Sequence, residues 1–289
     1  MKILVIASGG DAPGMNRLIY QLGKHYGKNL YACKAGFSGL INNWIYPISN
    51  FDIKTFKNQA GVVIKSSRCP KFITDEGFKK GLKNAKKFDF VIILGGNGSA
   101  KGARRLAENG IKTIFVPATI DNDVDGSDYS LGFHTAVKAC CNAVYNIMPS
   151  MEAFNRSCVF QVMGRRCDKI AQNVASVVGA DVLVADENDL DFTKTAKILN
   201  ANSKQEKSSI IIIRENIMPL EKFENSLKTL AKAVELKSFV VGHLQRGSSP
   251  SKVELKKADQ IAKRIFKVIK LHLPAASIYF QNGTCQFKL

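Results

Sequence analysis

Short apolar runs that break into glycine-rich or polar turns, each followed by residues at helical spacing, constrain this chain more than any other feature of its sequence. Lys2 to Ala7 is such a strand, it opens into Ser8-Gly9-Gly10-Asp11, and Met15 to Tyr26 then carries apolar residues at helical spacing. Leu30 to Cys33 reads as a second strand and Asp75 to Lys86 as a helix. Phe90 to Leu94 enters Gly95-Gly96-Asn97-Gly98-Ser99, and the helix Lys101 to Asn109 closes at Gly110. The strand Thr113 to Val116, the polar loop Pro117 to Tyr129 and a helix from Thr135 to Met148 follow, with strands expected at Cys158 to Val162, Asp181 to Val184 and Ile210 to Ile213. Strands apolar on both faces need cover on both sides, so the pattern predicts an α/β chain of mostly parallel sheets flanked by helices. At roughly 100–200 residues per domain, the 289 residues suggest two lobes. A boundary near Leu131, and a helix Val253 to Ile269 that returns to the first lobe, divide them as 1–132 plus 246–289 and 133–245.

Charge is the unusual part of the composition: Lys and Arg number 42 against 24 Asp and Glu, a net +18. A nucleic-acid partner would be served by clustered cations. Here most of the excess is lysine, singly or in pairs such as Lys79-Lys80 and Lys256-Lys257, with no arginine-rich tail, which favours a solvated surface over a nucleic-acid site. The apolar run after Met1 is too short for a signal peptide and no later run reaches membrane-spanning length, so a cytoplasmic protein without a membrane partner is expected. Seven cysteines without CxxC spacing or paired histidines are expected to be reduced thiols, Cys140 and Cys141 serving as core filler.

Three segments carry chemistry. Ser8 to Asn16 sets glycines and small residues between a strand and a helix, where main-chain N–H groups can approach a phosphate, although its spacing is neither the dinucleotide fingerprint nor a Walker loop. Taken alone it is a weak signal, with a tight turn and nothing more as the other reading. Gly95 to Ser99 is a second anion-suited loop after a second apolar strand. In Pro117 to Gly126, Asp121, Asp123 and Asp125 crowd carboxylates that repel one another unless a proton, a cation or a hydroxyl intervenes; the other reading is a solvated turn, the better one for Asp125 beside Gly126.

Together with Met163-Gly164-Arg165 and Gly242-His243-Leu244-Gln245-Arg246-Gly247, these segments resemble, in order, the signatures of 6-phosphofructokinases over residues 1 to 285. The resemblance implies two Rossmann-like three-layer lobes in the phosphofructokinase fold, the first binding nucleotide and the second sugar phosphate. It implies that Asp121 is the base toward the 1-hydroxyl of fructose 6-phosphate, that Thr119 and Asp123 help place sugar and metal, and that Arg165 stabilises the transferred phosphoryl group. ATP would meet Gly10, Arg68, Cys69, Gly96, Asn97, Gly98 and Ser99. The sugar phosphate would meet Met163, Gly164, Glu215, His243 and Arg246, together with Arg156 and Lys237 from a neighbouring subunit of a homotetramer.

Several positions depart from the family pattern. Asn97 stands where an aspartate helps hold Mg2+, which would leave a weakened site shared with Asp123. Lys237 replaces a usual arginine and loses its bidentate geometry. Gly98 and Ala118 are small, as suits ATP over diphosphate. Phe37 takes the place of an adenine-stacking tyrosine, and Ile73 and Phe78 lie near positions of nucleotide-binding arginines. Tyr20, Lys24, Met148 and Glu206 fall at or near basic effector positions, leaving Lys204, Lys207 and Asp181, so allostery of the bacterial kind should be weak or absent. The alternatives to an ATP-dependent enzyme are a weakly active or non-catalytic sugar-phosphate or nucleotide-binding paralogue and a diphosphate-dependent phosphofructokinase.

Overall fold

The apolar runs form the interior strands of two sheets in a computed structural model that describes all 289 residues. In chain order, the first elements are β1 (Ile3–Ala7), α1 (Met15–Tyr26), β2 (Leu30–Cys33), α2 (Gly36–Asn42), β3 (Ile45–Pro47), α3 (Ile53–Phe56), α4 (Asp75–Ala85), β4 (Phe90–Gly95), α5 (Asn97–Glu108), β5 (Thr113–Thr119) and β6 (Leu131–Gly132). Then come α6 (Phe133–Glu152), β7 (Ser157–Val162), α7 (Lys169–Val178), β8 (Val182–Val184), α8 (Phe192–Lys204), β9 (Ile210–Arg214), α9 (Leu220–Leu230) and β10 (Leu236–Val240). The last are α10 (Leu244–Gly247), α11 (Lys252–Lys270), β11 (Ala275–Gln281) and β12 (Thr284–Lys288).

Two compact units result: Met1–Thr135 with Arg246–Leu289, and Ala136–Gln245. The first holds an eight-stranded sheet ordered β12-β11-β5-β4-β1-β2-β3, with β6 paired to β5. It is parallel except where β2 meets β3 and β11 meets β12. β1 and β4 are buried along their whole length, as a parallel sheet covered on both faces requires. Their register sets Ala7 beside Leu94 and Gly95 beside Pro117, so the carboxyl ends of β1, β4 and β5 lie side by side. The second unit holds four parallel strands ordered β10-β7-β9-β8, with its apolar cluster built on Val159, Leu199, Ile211, Ile213, Phe223 and Leu227. No helix is long and apolar enough to cross a membrane.

Two element boundaries differ from the sequence expectation in ways that matter for chemistry. α5 begins at Asn97, not Lys101, so the second glycine loop is the first turn of a helix. Asn, Gly and Ser read as loop formers, but they suit a first turn, where N–H groups lack i−4 partners and Ser99 donates its own to the Gly96 carbonyl (2.9 Å). β5 runs on through Pro117 to Thr119, because β11 pairs only with Thr113–Phe115 and the missing proline donor falls beyond that stretch. α6 also exceeds the expected Thr135–Met148 at both ends.

Candidate active site

In the first unit, the turn after β1 is tied to its neighbours by neutral polar groups. Gly9 donates its N–H to the Ser67 carbonyl (3.1 Å), Ser66 Oγ donates to the Gly9 carbonyl (2.9 Å), and Ser99 Oγ donates to the Ser8 carbonyl (3.0 Å). The buried Asn16 side chain donates to the Gln59 and Ala60 carbonyls and accepts the Val63 N–H (2.7 Å), fixing the segment that leads to exposed Arg68. Cys69 packs at the edge of the apolar core. Arg246 lies over Gly10, donating Nη1 to the Asp11 carbonyl (2.8 Å); a Cβ on Gly10 would stand 2.5 Å from that nitrogen, so any side chain there would push the guanidinium aside. The two glycine segments, Gly96, Asn97 and Gly98 included, and Arg246 are therefore gathered at the carboxyl edge of one sheet, the ligand-binding edge of such folds.

The aspartate segment leaves the same edge. The Asp121 N–H is donated to Thr119 Oγ1 (3.3 Å), and Asn122, in left-handed backbone (φ 53°), closes the loop by accepting the Ser130 N–H (2.6 Å) and donating to the Asp128 carbonyl (3.1 Å). At its foot the buried Glu254 accepts from Tyr129 Oη (2.7 Å), the Gly132 N–H (2.7 Å) and the Thr135 N–H and Oγ1 (3.1 and 2.9 Å). Burial pushes the Glu254 carboxyl up even though these donors favour its ionised form. Asn97 Nδ2 donates to the Asp123 carbonyl (2.9 Å) and to Asp123 Oδ2 (3.2 Å). Both partners are acceptors, so the amide must present nitrogen to Asp123. The pairing thus contains one carboxylate, that of Asp123, where the resemblance implies two. That fits a magnesium ion carried on phosphate oxygens and water with a single protein carboxylate, and does not fit a protein cage.

In the second unit, the turn after β7 is closed by the Cys167 N–H on the Gly164 carbonyl (2.6 Å). Glu215 Oε1 accepts the N–H groups of Gly164 (3.3 Å) and Arg165 (3.0 Å). Gln245, 0% exposed, accepts the Met163 N–H (3.0 Å) and donates to the Gly242 carbonyl (2.9 Å), binding this turn to the one that carries exposed His243. Met163, Gly164, Arg165, Glu215 and His243 are thereby brought together at the carboxyl ends of β7, β9 and β10. Gln245, which the sequence reading quoted without a role, is the link, and its fixed place beside Gly242-His243 was the available signal.

Arg156 and Lys237 do not join that cluster. Arg156 precedes β7 and Lys237 is the second residue of β10, with Glu235 between their side chains: Arg156 Nε lies 2.8 Å from Oε2 and Lys237 Nζ 3.0 Å from Oε1. The two cations, Arg156 first, hold the Glu235 carboxyl below the usual carboxylate range. At about 3.3 Å per residue, the length of β7 separates this pair from Met163 by roughly 20 Å.

Around the nucleotide-type loops, Phe37 offers no free stacking face of the kind expected of it. It is buried, stacked on Phe72 at 4.1 Å with its edge against Gly102. Phe78 is also buried, beneath the Arg105 guanidinium (4.0 Å), which donates to the Ile73 carbonyl (2.7 Å) and to Asp75 (2.7 Å). Ile73 itself is 80% exposed. A Cβ on Gly98 would meet nothing within 4 Å, so the space beside it is open.

The Phosphofructokinase family model matches residues 2–269. The ATP-dependent 6-phosphofructokinase of Streptococcus suis (strain 05ZYH33) is 34% identical over 275 residues, 93% of this chain and 82% of the relative. That of Lactococcus lactis subsp. lactis (strain IL1403) is 32% identical over 287 residues, 97% and 84% respectively. Among solved structures, phosphofructokinase from Saccharomyces cerevisiae superposes with a TM-score of 0.83 at 24% identity, covering 99% of this chain, which spans 44% of that longer one. The fold is therefore the one seen in phosphofructokinase structures.

Proposed function

The chain belongs to the phosphofructokinase family, and from that premise we propose that it transfers the γ-phosphoryl group of ATP to the 1-hydroxyl of fructose 6-phosphate, a glycolytic reaction of the cytoplasm giving fructose 1,6-bisphosphate and ADP. The observation that carries the reading is the Thr119–Asp123 segment tied through Asn97 to a glycine-rich helix start at the carboxyl edge of the first sheet. Asp121 orients the sugar hydroxyl and takes its proton as the phosphoryl group leaves in line. Thr119 Oγ1, already bonded to the Asp121 N–H, holds the main chain from which that carboxylate projects. Charge on the moving phosphoryl is met by Arg165, whose planar fork suits phosphoryl oxygens, and by N–H groups at Gly10, Gly96 and Gly98, while Ser99, whose N–H goes to the Gly96 carbonyl (2.9 Å), holds the turn in place. Arg68 and Cys69 border the nucleotide. Magnesium held through Asp123 supplies neutralisation of the β- and γ-phosphates when bound.

His243 and Arg246 bind the 6-phosphate, Met163 and Gly164 lie along the sugar, and the second Glu215 oxygen receives a sugar hydroxyl. Arg156 and Lys237, too far along β7 to serve the same chain's cluster, serve that of a neighbour in a homotetramer. Open space at Gly98 and the absence of a lysine at Ala118 favour ATP over diphosphate.

Asn97 favours a second reading, a non-catalytic or weakly active paralogue that binds both ligands. Fructose 1,6-bisphosphate formation, measured with ATP and with diphosphate across a magnesium range, tests both. Product from ATP supports the proposal; product from diphosphate alone reassigns the donor, and no product from either, with both ligands bound, leaves the paralogue.

A further inference from the structure

Arg214, the last residue of β9, is only 9% exposed, and its side chain runs beneath the turn that carries Arg165. A Cβ on Gly164 would stand 3.3 Å from Arg214 Cδ and 3.4 Å from Cγ, so the stem lies flush against the turn. Its Nε donates to the Ala185 carbonyl (2.6 Å), and Nη1 donates to the Arg165 carbonyl (2.5 Å) and, at longer range, to that of Glu215 (3.5 Å). Every acceptor is a main-chain carbonyl, and none of the ion pairs in the chain includes this guanidinium. Burying a charge without a counter-charge is costly, so the position calls for a reason beyond packing.

The backbone of Arg165 supplies one. It sits in the left-handed region (φ 51°), sparsely populated for any residue with a Cβ and kept only where the surroundings over-determine it. Its N–H is held by Glu215 and its carbonyl by Arg214, so the last residue of β9 and the residue after it grip both sides of Arg165. We propose that Arg214 is a positioning residue: it fixes the left-handed turn from which the exposed Arg165 side chain is aimed, and its charge offsets that of the Glu215 carboxylate held against the same turn. The role rests on the phosphoryl-transfer reading above.

The full-length protein tests it through Arg214→Met, which keeps most of the stem, Arg214→Ala and Arg214→Lys. We expect Arg214→Met to lower kcat roughly 10- to 100-fold, as a misplaced catalytic group does, with KM for ATP within about twofold. Arg214→Lys should recover little, since one ammonium cannot reproduce the fork, whereas millimolar guanidinium should restore part of the Arg214→Ala activity. Amide exchange at Gly164 and Arg165 should quicken in all three, ahead of the rest of β7 and β9. Wild-type kcat in Arg214→Met, or exchange that quickens equally throughout residues 136–245, would overturn the proposal. Should the wild-type protein form no product, the phosphofructokinase reading fails, and amide exchange alone then decides the role of Arg214 in the turn.

Discussion

The two units hold their loops by different physics. In the first, neutral groups do most of the holding, through serine hydroxyls on Ser8 and Gly9, the Asn16 and Asn122 amides, and Asn97 on Asp123, with Arg246 on the Asp11 carbonyl and the buried Glu254 as the charged exceptions. In the second, charged side chains hold main chain and one another: Glu215 under two N–H groups and Glu235 between Arg156 and Lys237. The contrast teaches where charge serves as a tie: the aspartate segment of the first unit is held mostly through amides and hydroxyls, whereas in the second unit the carboxylates of Glu215 and Glu235 are themselves bonded to N–H groups and cations.

The strongest way to break this contrast is Asp121→Asn. If the first unit commits its carboxylates to chemistry, kcat should fall by about 10³-fold, within the span of general-base effects, while KM for both substrates changes little in steady-state assays. A collapse of substrate binding instead would make Asp121 a structural member of its loop. Next in size, Arg156→Ala should raise KM for fructose 6-phosphate by about 10- to 100-fold, the worth of a charge-assisted hydrogen bond. Mixing denatured Asp121→Asn and Arg156→Ala subunits and refolding them together should restore, at fructose 6-phosphate concentrations well below the raised KM, a rate that neither variant reaches alone. No recovery would mean that Arg156 serves its own chain.

That asymmetry also explains which parts of the molecule were legible in the sequence. Contiguous glycines and carboxylates mark the first unit's loops, and the apolar runs mark β1, β4, β5, β7 and β9. The start of α5 was not legible, because Asn97, Gly98 and Ser99 carry loop propensity while lying in a helical turn. Helices α7, α8 and α9 went unplaced, and β12 with them. The supports of the site are set by distance in space: Gln245 reaches Met163 across 82 positions and Glu254 reaches Gly132 across 122, and no local pattern encodes either. Phe37 shows the converse, a residue whose motif position suggested a ligand and whose ring Phe72 already occupies.

Smaller effects sharpen the contrast. Asn97→Asp converts a neutral tie into a second carboxylate, and the magnesium concentration for half-maximal rate should fall about three- to tenfold, since magnesium prefers anionic oxygen. An unchanged midpoint would show that the metal is held by nucleotide alone. Glu235→Gln releases both cations of the second unit, and because exposed ion pairs are weak, KM for fructose 6-phosphate should fall by less than about fivefold. A rise would show that Glu235 orders Arg156 and Lys237 for the phosphate and does not compete with it.

The smallest expected effect concerns regulation, where charge is again spent internally. Asp181 accepts from Lys207 Nζ, Asn202 Nδ2 and the Ile210 N–H, each at 2.9 Å. Burial pushes its carboxyl up, but the Ile210 N–H, Lys207 and Asn202 together outweigh it and hold the carboxyl below its ordinary value. Lys207 and Asp181, left by the sequence as usable effector groups, are thus bonded to each other, and Glu206 beside them is acidic. ADP or phosphoenolpyruvate at millimolar concentration should therefore shift half-saturation for fructose 6-phosphate by less than about twofold, too little coupling for an allosteric effector. The Asp181 network should show itself in stability instead. With its folded pKa depressed, its contribution is present above the unfolded aspartate pKa and is lost as pH falls through the folded one. Asp181→Asn should accordingly lower the urea midpoint at pH 7 and match the parent once pH lies below both values. A large effector response in the parent, abolished by Asp181→Asn, would assign these residues to regulation after all.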